Sequence, residues 1–383
     1  MTVKITWDEA SARRLERQFL AAPAETGTPV AEVVGAMLGA HAQVLSAAEV
    51  SVGVRVDGVT RADVRAALWE DRSLVKTYGP RGTLHLLPAS ELPFWAAALE
   101  AISTGPGPFA PNVRLTGAQT DEVVAAIGDA LDGAYLTIDE LSDSVVARTG
   151  PWAGDLVMPA FQTMWPRWRQ VMHRAGQRGA LSFGPNRGRK VTYTRPPRFE
   201  PLAQDAALST LVRRYLRAYG PATPAHFAKW AAAPRGWAGE LFAACASAGE
   251  IEEVDFAGGP AWVAAGDTEF PAAPVRGVRL LPYFDAYGIA AQPRETLFPG
   301  AAYGRALAGG QAGNYPVFLI DGVVAGVWHQ RRQGRRTTVT VEPLGRLTAA
   351  REQELAAQVA RVGDVLEAKA ELVIGEVTAG AHA

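Results

Sequence analysis

The chain has 383 residues, 38 Lys and Arg against 39 Asp and Glu, a formal net charge of -1 and a predicted pI near 6.6. With 48% hydrophobic and 20% charged residues it has globular composition, which excludes a charged disordered polymer, and its length suits several domains. One cysteine excludes an intrachain disulfide framework and a cysteine-rich zinc cluster, and the absence of a twenty-residue apolar span or an apolar signal core at Met1–Trp7 leads us to expect a cytoplasmic protein with no membrane contact.

In chain order, the pattern predicts a helix over Trp7 to Leu20, with Asp8 as its cap and Arg13, Arg14 and Arg17 on its polar side. A helix over Val30 to Leu38 follows, then one over Ala40 to Gly53 with Val44, Leu45, Ala48 and Val52 at helical spacing. Thr60 caps a helix through Asp63 to Trp69, and strands Leu74 to Tyr78 and Thr83 to Leu86 flank Gly79-Pro80-Arg81-Gly82. Helices followed by a two-stranded hairpin suggest a winged helix. The order recurs with helices over Ala118 to Leu131, from Thr137 (in capping-box spacing with Glu140) and over Phe161 to Arg174, then a hairpin of Ala180 to Phe183 with Lys190 to Thr194. It recurs again with helices over Leu208 to Tyr219, Ala225 to Ala231 and Pro234 to Ala246, and strands at Ile251 to Phe256 and Ala261 to Ala264. After Gly266 the segments Val278 to Pro282, Val317 to Ile320, Val323 to Trp328 and Thr337 to Val341 read as a small sheet or barrel, closed by a helix over Thr348 to Leu372.

The near-zero net charge hides an asymmetry. No acidic residue lies between Asp155 and Glu200, a stretch that carries Arg167, Arg169, Arg174, Arg178, Arg187, Arg189, Lys190, Arg195 and Arg198 among Trp165, Trp168, His173 and Tyr193. Such a run is commonly a solvated face, but basic residues interleaved with aromatics also suit phosphate contact. A second cluster, Arg331, Arg332, Arg335 and Arg336, projects from a hairpin whose tip is marked by Gly334. The excess of arginine over lysine favours bidentate phosphate contacts and fits genomic base composition equally well.

Motifs for nucleotide cradling, zinc proteolysis or a serine elbow are missing, and the six histidines are not paired at metal-ligand spacing, so we expect neither metal nor cofactor. Cys245, among alanines, reads as a small buried hydrophobe. His41-Ala42-Gln43 stands out. On a helix its two polar residues point about 200° apart and border one site only at the helix start; otherwise they are a helix-start histidine and a surface amide. In Arg81-Gly82-Thr83-Leu84-His85-Leu86, Arg81, Thr83 and His85 face one side of a hairpin or form plain scaffold.

These segments carry a resemblance. Ala40 to Glu49 resembles the short catalytic motif of the AlkZ-like winged-helix DNA glycosylases, Arg81 to Leu86 matches their Arg-Gly-Thr-x-His segment, and Phe318 to Trp328 matches their strand, Asp-Gly turn and Gly-x-Trp. It extends over residues 8 to 375, with the middle matched by organisation. It implies an α+β fold of three tandem winged-helix units in a C-shaped scaffold (7–110, 111–200 and 201–266) and a small C-terminal β-barrel-like domain (267–383). It implies a monofunctional, monomeric enzyme that excises N7-alkylated purines from double-stranded DNA, including bulky adducts and in some members interstrand crosslinks. His41 stands where the familiar motif has glutamine. This resembles the histidine-type branch, self-resistance enzymes for intercalating antibiotic adducts, with His41 and Gln43 catalytic. DNA contacts are then expected from Arg81, Thr83, His85, Arg167, Arg169, Arg187, Arg189, Lys190, Arg331, Arg332, Arg335 and Arg336. A non-catalytic winged-helix DNA-binding protein or regulator is the alternative that the repeats and basic surfaces allow, and a purely structural or interaction role is a weaker third.

Overall fold

The structure, a computed structural model, describes residues 3–102, 109–160, 163–334 and 336–381. Its elements are helices and mostly antiparallel sheets, a mixed α+β fold. The first helix spans Trp7–Arg17 and is capped by Thr6, whose side chain accepts from the Glu9 backbone while Glu9 reaches back to Thr6. Asp8 is therefore not the cap, and the supposedly polar face is partly interior. Arg14 is 1% exposed and donates to the carbonyls of Gly220, Pro221 and Gln292, while Arg13 lies over the Phe270 ring. Arg17 pairs with Asp267, so all three arginines mark a contact between distant parts of the chain.

Two hairpins of the expected helix–hairpin units join in one six-stranded sheet. Its order is Ala40–His41, Leu84–Pro88, Leu74–Tyr78, Ser182–Arg187, Lys190–Thr194 and Leu136–Thr137. The junction is the pairing of Lys76 with Phe183, reinforced by the Thr77 hydroxyl, which donates to the Leu181 carbonyl at 3.2 Å. Lys4–Ile5 adds a parallel strand to the Ile251–Phe256 and Gly259–Ala264 hairpin.

The C-terminal sheet has the order Val278–Leu281, Val317–Ile320, Val323–Gln333, Arg336–Pro343 and Lys369–Ile374. Asp321 and Gly322 both take positive φ at the turn, and the Asp321 carboxylate accepts from Gly277 N and from Arg351. Trp328 is buried and its indole donates to the Leu281 and Val317 carbonyls. The Asp-Gly turn and Gly-x-Trp are thus framework.

Two helix expectations change in the middle and at the C-terminal end. Where a helix was expected over Phe161 to Arg174, strands Leu156–Pro159 and Met164–Pro166 lead into a 3-10 turn over Arg167–Val171 and a short helix at Met172–Gln177, with Phe161 itself outside the described residues. Pro166 cannot donate within a helix and disfavours helical backbone before it. The closing helix spans Ala349–Val365 and stops before Leu372. Glu367 takes φ +52, and Lys369–Ile374 returns as a strand parallel to Arg336–Pro343. This closing helix packs on the helix Leu45–Gly53. A Cβ on Gly53 would sit 2.5 Å from Val365, so glycine is what lets the two helices approach. Among the described residues, no helix is long and apolar enough to cross a membrane.

Candidate active site

The expected helix over Ala40 to Gly53 is in fact a strand, a turn and a helix. Gly39, at φ +94, turns the chain into the two-residue strand Ala40–His41, and a Cβ there would lie 2.8 Å from Leu87. Residues 43–44 form the turn, and the helix begins at Leu45. His41 and Gln43 therefore escape the opposite-face geometry of a helix. His41 is buried in the sheet, whereas Gln43 is exposed on the turn two residues later.

His41 pairs in register with His85 on the neighbouring strand, and their rings meet edge to face with centroids 5.2 Å apart. The Phe284 ring stacks on His41 at 4.4 Å and 30°. The Nδ1 atom of His41 is buried and has no hydrogen-bond partner among the described residues. Burial, with help from the Arg81 cation, lowers the His41 pKa to about 4, so the imidazole is neutral at pH 7. His85 is held well below its ordinary value by burial and by Arg81, and its Nδ1 lies 3.0 Å from the Thr83 carbonyl.

Arg81 takes φ +63 on the hairpin turn and donates to the Trp230 carbonyl at 2.9 Å. Burial lowers its pKa only to about 10, so it stays a cation. It lines both the narrow cleft at His41 and a wider cavity beside His173 and Arg174. Thr83 turns its hydroxyl to the Pro80 carbonyl. Sequence reasoning places Arg81, Thr83 and His85 at the DNA; the structure gathers Arg81 and His85 at the cleft as the surroundings of His41 and gives Thr83 a turn-stabilising contact.

The acid-free stretch is not acid-free in space. Arg167 pairs with Asp155, Arg178 with Glu100 and Asp121, Arg187 with Glu140, Lys190 with Asp139 and Arg198 with Asp132. Arg169 lies over the Trp165 ring at 3.9 Å, and Arg189 is exposed. Exposed pairs of this kind are weak individually, but together they cancel much of the positive field that the linear pattern suggests. The C-terminal hairpin differs. Arg331, Arg332 and Arg336 are exposed and have no carboxylate partner among the described residues; Arg335 lies outside them. The parallel pairing sets Lys369 beside Arg336, a cation that linear reading missed because helix was expected there.

Sequence reasoning also missed Phe284, Tyr283 and the Arg55–Asp285 pair. No motif marks them, since their role comes from a chain crossing more than 200 residues after His41. Tyr283 Oη lies 3.4 Å from Nδ1 of His329 on the arginine-bearing strand. A recess lined by Val44, Tyr283, Trp328, His329 and Gln330 therefore connects the turn after Gln43 to the root of that hairpin. Among the described residues no group of three or more His, Cys, Asp or Glu side chains is placed to hold a metal ion. Chemically, the site offers a neutral imidazole, an exposed amide and a nearby fixed cation.

A family model for the DNA glycosylase AlkZ-like family matches residues 34–365. A protein of Streptomyces sahachiroi named "Interstrand DNA cross-link repair glycosylase" is 33% identical over 349 residues, covering 85% of this chain and 88% of that protein. The solved structure of Streptomyces sahachiroi DNA glycosylase AlkZ superposes with a TM-score of 0.78 at 29% identity, covering 97% of this chain and all of that one. The geometry at His41 thus belongs to a member of the AlkZ-like DNA glycosylase family.

Proposed function

We propose that this DNA glycosylase is a monofunctional, monomeric enzyme that hydrolyses the N-glycosidic bond of N7-alkylated purines in double-stranded DNA. Its foremost substrates in this reading are bulky intercalating antibiotic–guanine adducts, in base excision repair and antibiotic self-resistance. We take 7–110, 111–200 and 201–266 as three winged-helix units of a C-shaped scaffold, and 267–383 as the β-barrel-like domain that carries the DNA-contacting hairpin.

The observation that carries the reading is the buried, neutral imidazole of His41, with the exposed amide of Gln43 two residues away. N7 alkylation makes the purine cationic and therefore a good leaving group. The remaining task is to hold a water at C1′ while the sugar develops oxocarbenium character. Gln43 orients that water and the adjoining sugar-phosphate. His41 hydrogen-bonds the water and accepts its proton.

The test is incubation with duplexes carrying methyl, crosslinked or bulky intercalated N7-guanine adducts, followed by mild base to break the strand at abasic sites. Crosslinks enter the panel because of the Streptomyces relative's name. We expect abasic sites in the bulky-adduct duplex and none in unmodified DNA. Sequence-specific binding of unmodified DNA with no excision would favour the regulator instead.

In the same reading the hairpin arginines contact phosphates or the minor groove. Replacing Arg331, Arg332, Arg335 and Arg336 with alanine should weaken DNA binding. It should also flatten the dependence of log K on log salt by about 0.9 for each phosphate that is no longer neutralised. Anisotropy measured across a salt series reads both effects, and an unchanged slope would remove the hairpin from the interface.

A further inference from the structure

Residues 282–285 leave the Val278–Leu281 strand and pass beside His41. Phe284 takes φ +56, a left-handed conformation that a bulky aromatic residue avoids. Its surroundings hold it there. The Phe284 N–H donates to the Gly313 carbonyl at 2.9 Å. The next residue, Asp285, takes two hydrogen bonds from Arg55 and a third from Ser51. Backbone strain of this kind persists only where neighbouring contacts over-determine it, and such places cluster at functional sites. The visible result is the phenyl ring lying nearly flat on the His41 imidazole while His85 meets the imidazole at an edge.

We propose that Phe284 is a positioning residue for excision, whose ring, fixed by the Asp285 clamp, sets the plane of the His41 imidazole and covers one face of it against bulk solvent. The proposal rests on His41 acting in the reaction. The groups facing His41 are Arg81 and His85 from the hairpin strand and its turn, Tyr219 from the helix Gln204–Tyr219, and Phe284 itself with the Arg55–Asp285 pair behind it. The clamp pair is internally neutralised, so losing the phenyl ring changes hydration at His41 more than local charge.

Phe284→Gly is the informative variant, because glycine accepts the left-handed backbone and the clamp is retained. Histidine-selective NMR should show the His41 pKa rising from about 4 toward 6.5. Single-turnover excision near pH 6 should fall roughly tenfold or more, as misorientation of a catalytic group does, and should partly recover as rising pH restores the neutral ring. Binding of adducted DNA should be unchanged. Phe284→Tyr, which keeps the ring, should preserve both the pKa and the rate. If the glycine variant does not fold, Phe284→Asn removes the ring while tolerating the left-handed backbone, and the same readouts apply. A wild-type pKa with a wild-type rate overturns the proposal, as does a raised pKa with an unchanged rate. Failure of the underlying reading shows separately, as full excision by His41→Ala.

Discussion

His41→Ala should excise an N7-alkylguanine roughly 10²–10⁴-fold more slowly than the wild type, the range for loss of a positioned proton acceptor, while binding the adducted duplex normally. The substitution removes a ring from between His85 and Phe284, and among the described residues His41 Nδ1 has no hydrogen-bond partner to lose. Circular dichroism should therefore report an intact fold. Gln43→Ala should also excise slowly, and because Gln43 is exposed its loss should leave stability untouched. The wild-type pH profile is a second check. An imidazole with its pKa near 4 keeps its proton-accepting form down to mildly acidic pH. The single-turnover rate should then stay flat from neutrality to about pH 5 and fall as pH drops through about 4, with no step at the ordinary histidine value. Wild-type excision by both variants would overturn the catalytic assignment.

Asp285→Ala should destabilise the protein by about 3–5 kcal/mol, the usual cost of leaving one partner of a buried ion pair uncompensated. Arg55 and Asp285 are 0% and 2% exposed at their side chains, and both guanidinium–carboxylate bonds are 2.8 Å long. Asp285 also caps the helix Ala286–Ala290 through the Tyr287 N–H, so the variant loses a cap as well as a charge. Denaturant unfolding should show a lower midpoint. The double variant Arg55→Met with Asp285→Leu should recover much of the loss, because a buried pair replaced by apolar groups of similar size is often neutral. A change within about 1 kcal/mol for Asp285→Ala alone would mean that water reaches Arg55.

Much of this architecture is written locally in the chain. Capping boxes at Thr60 and Thr137 are short-range chemistry, and both helices begin where the spacing predicts. The three family segments are likewise contiguous, and they led to the right family. What the linear pattern lacks is the partner across space. Helical periodicity after Ala40 is genuine from Leu45 onward, but it extends falsely back over His41 because the pairing of His41 with His85 is invisible along the chain. The basic stretch reads as one strong positive surface because its carboxylates sit on separate elements at Glu100, Asp121, Asp132, Asp139 and Glu140. No propensity scale would place Phe284 at positive φ, since that conformation is imposed by tertiary contacts and opposed by local preference.

The six-stranded sheet has a bearing on how this protein can be divided. Its two hairpins meet at Leu74–Tyr78 and Ser182–Arg187, across the boundary at residue 110 between two expected units. A fragment cut at that boundary would present Leu74–Tyr78 as a raw edge, its N–H and C=O groups open to another copy, and would lose the wall that Phe183 gives Lys76. For expression, crystallisation or grafting, no cut should therefore fall between the first helix and Thr194, a span whose His41 and His85 lie on strands at the far side of that shared sheet.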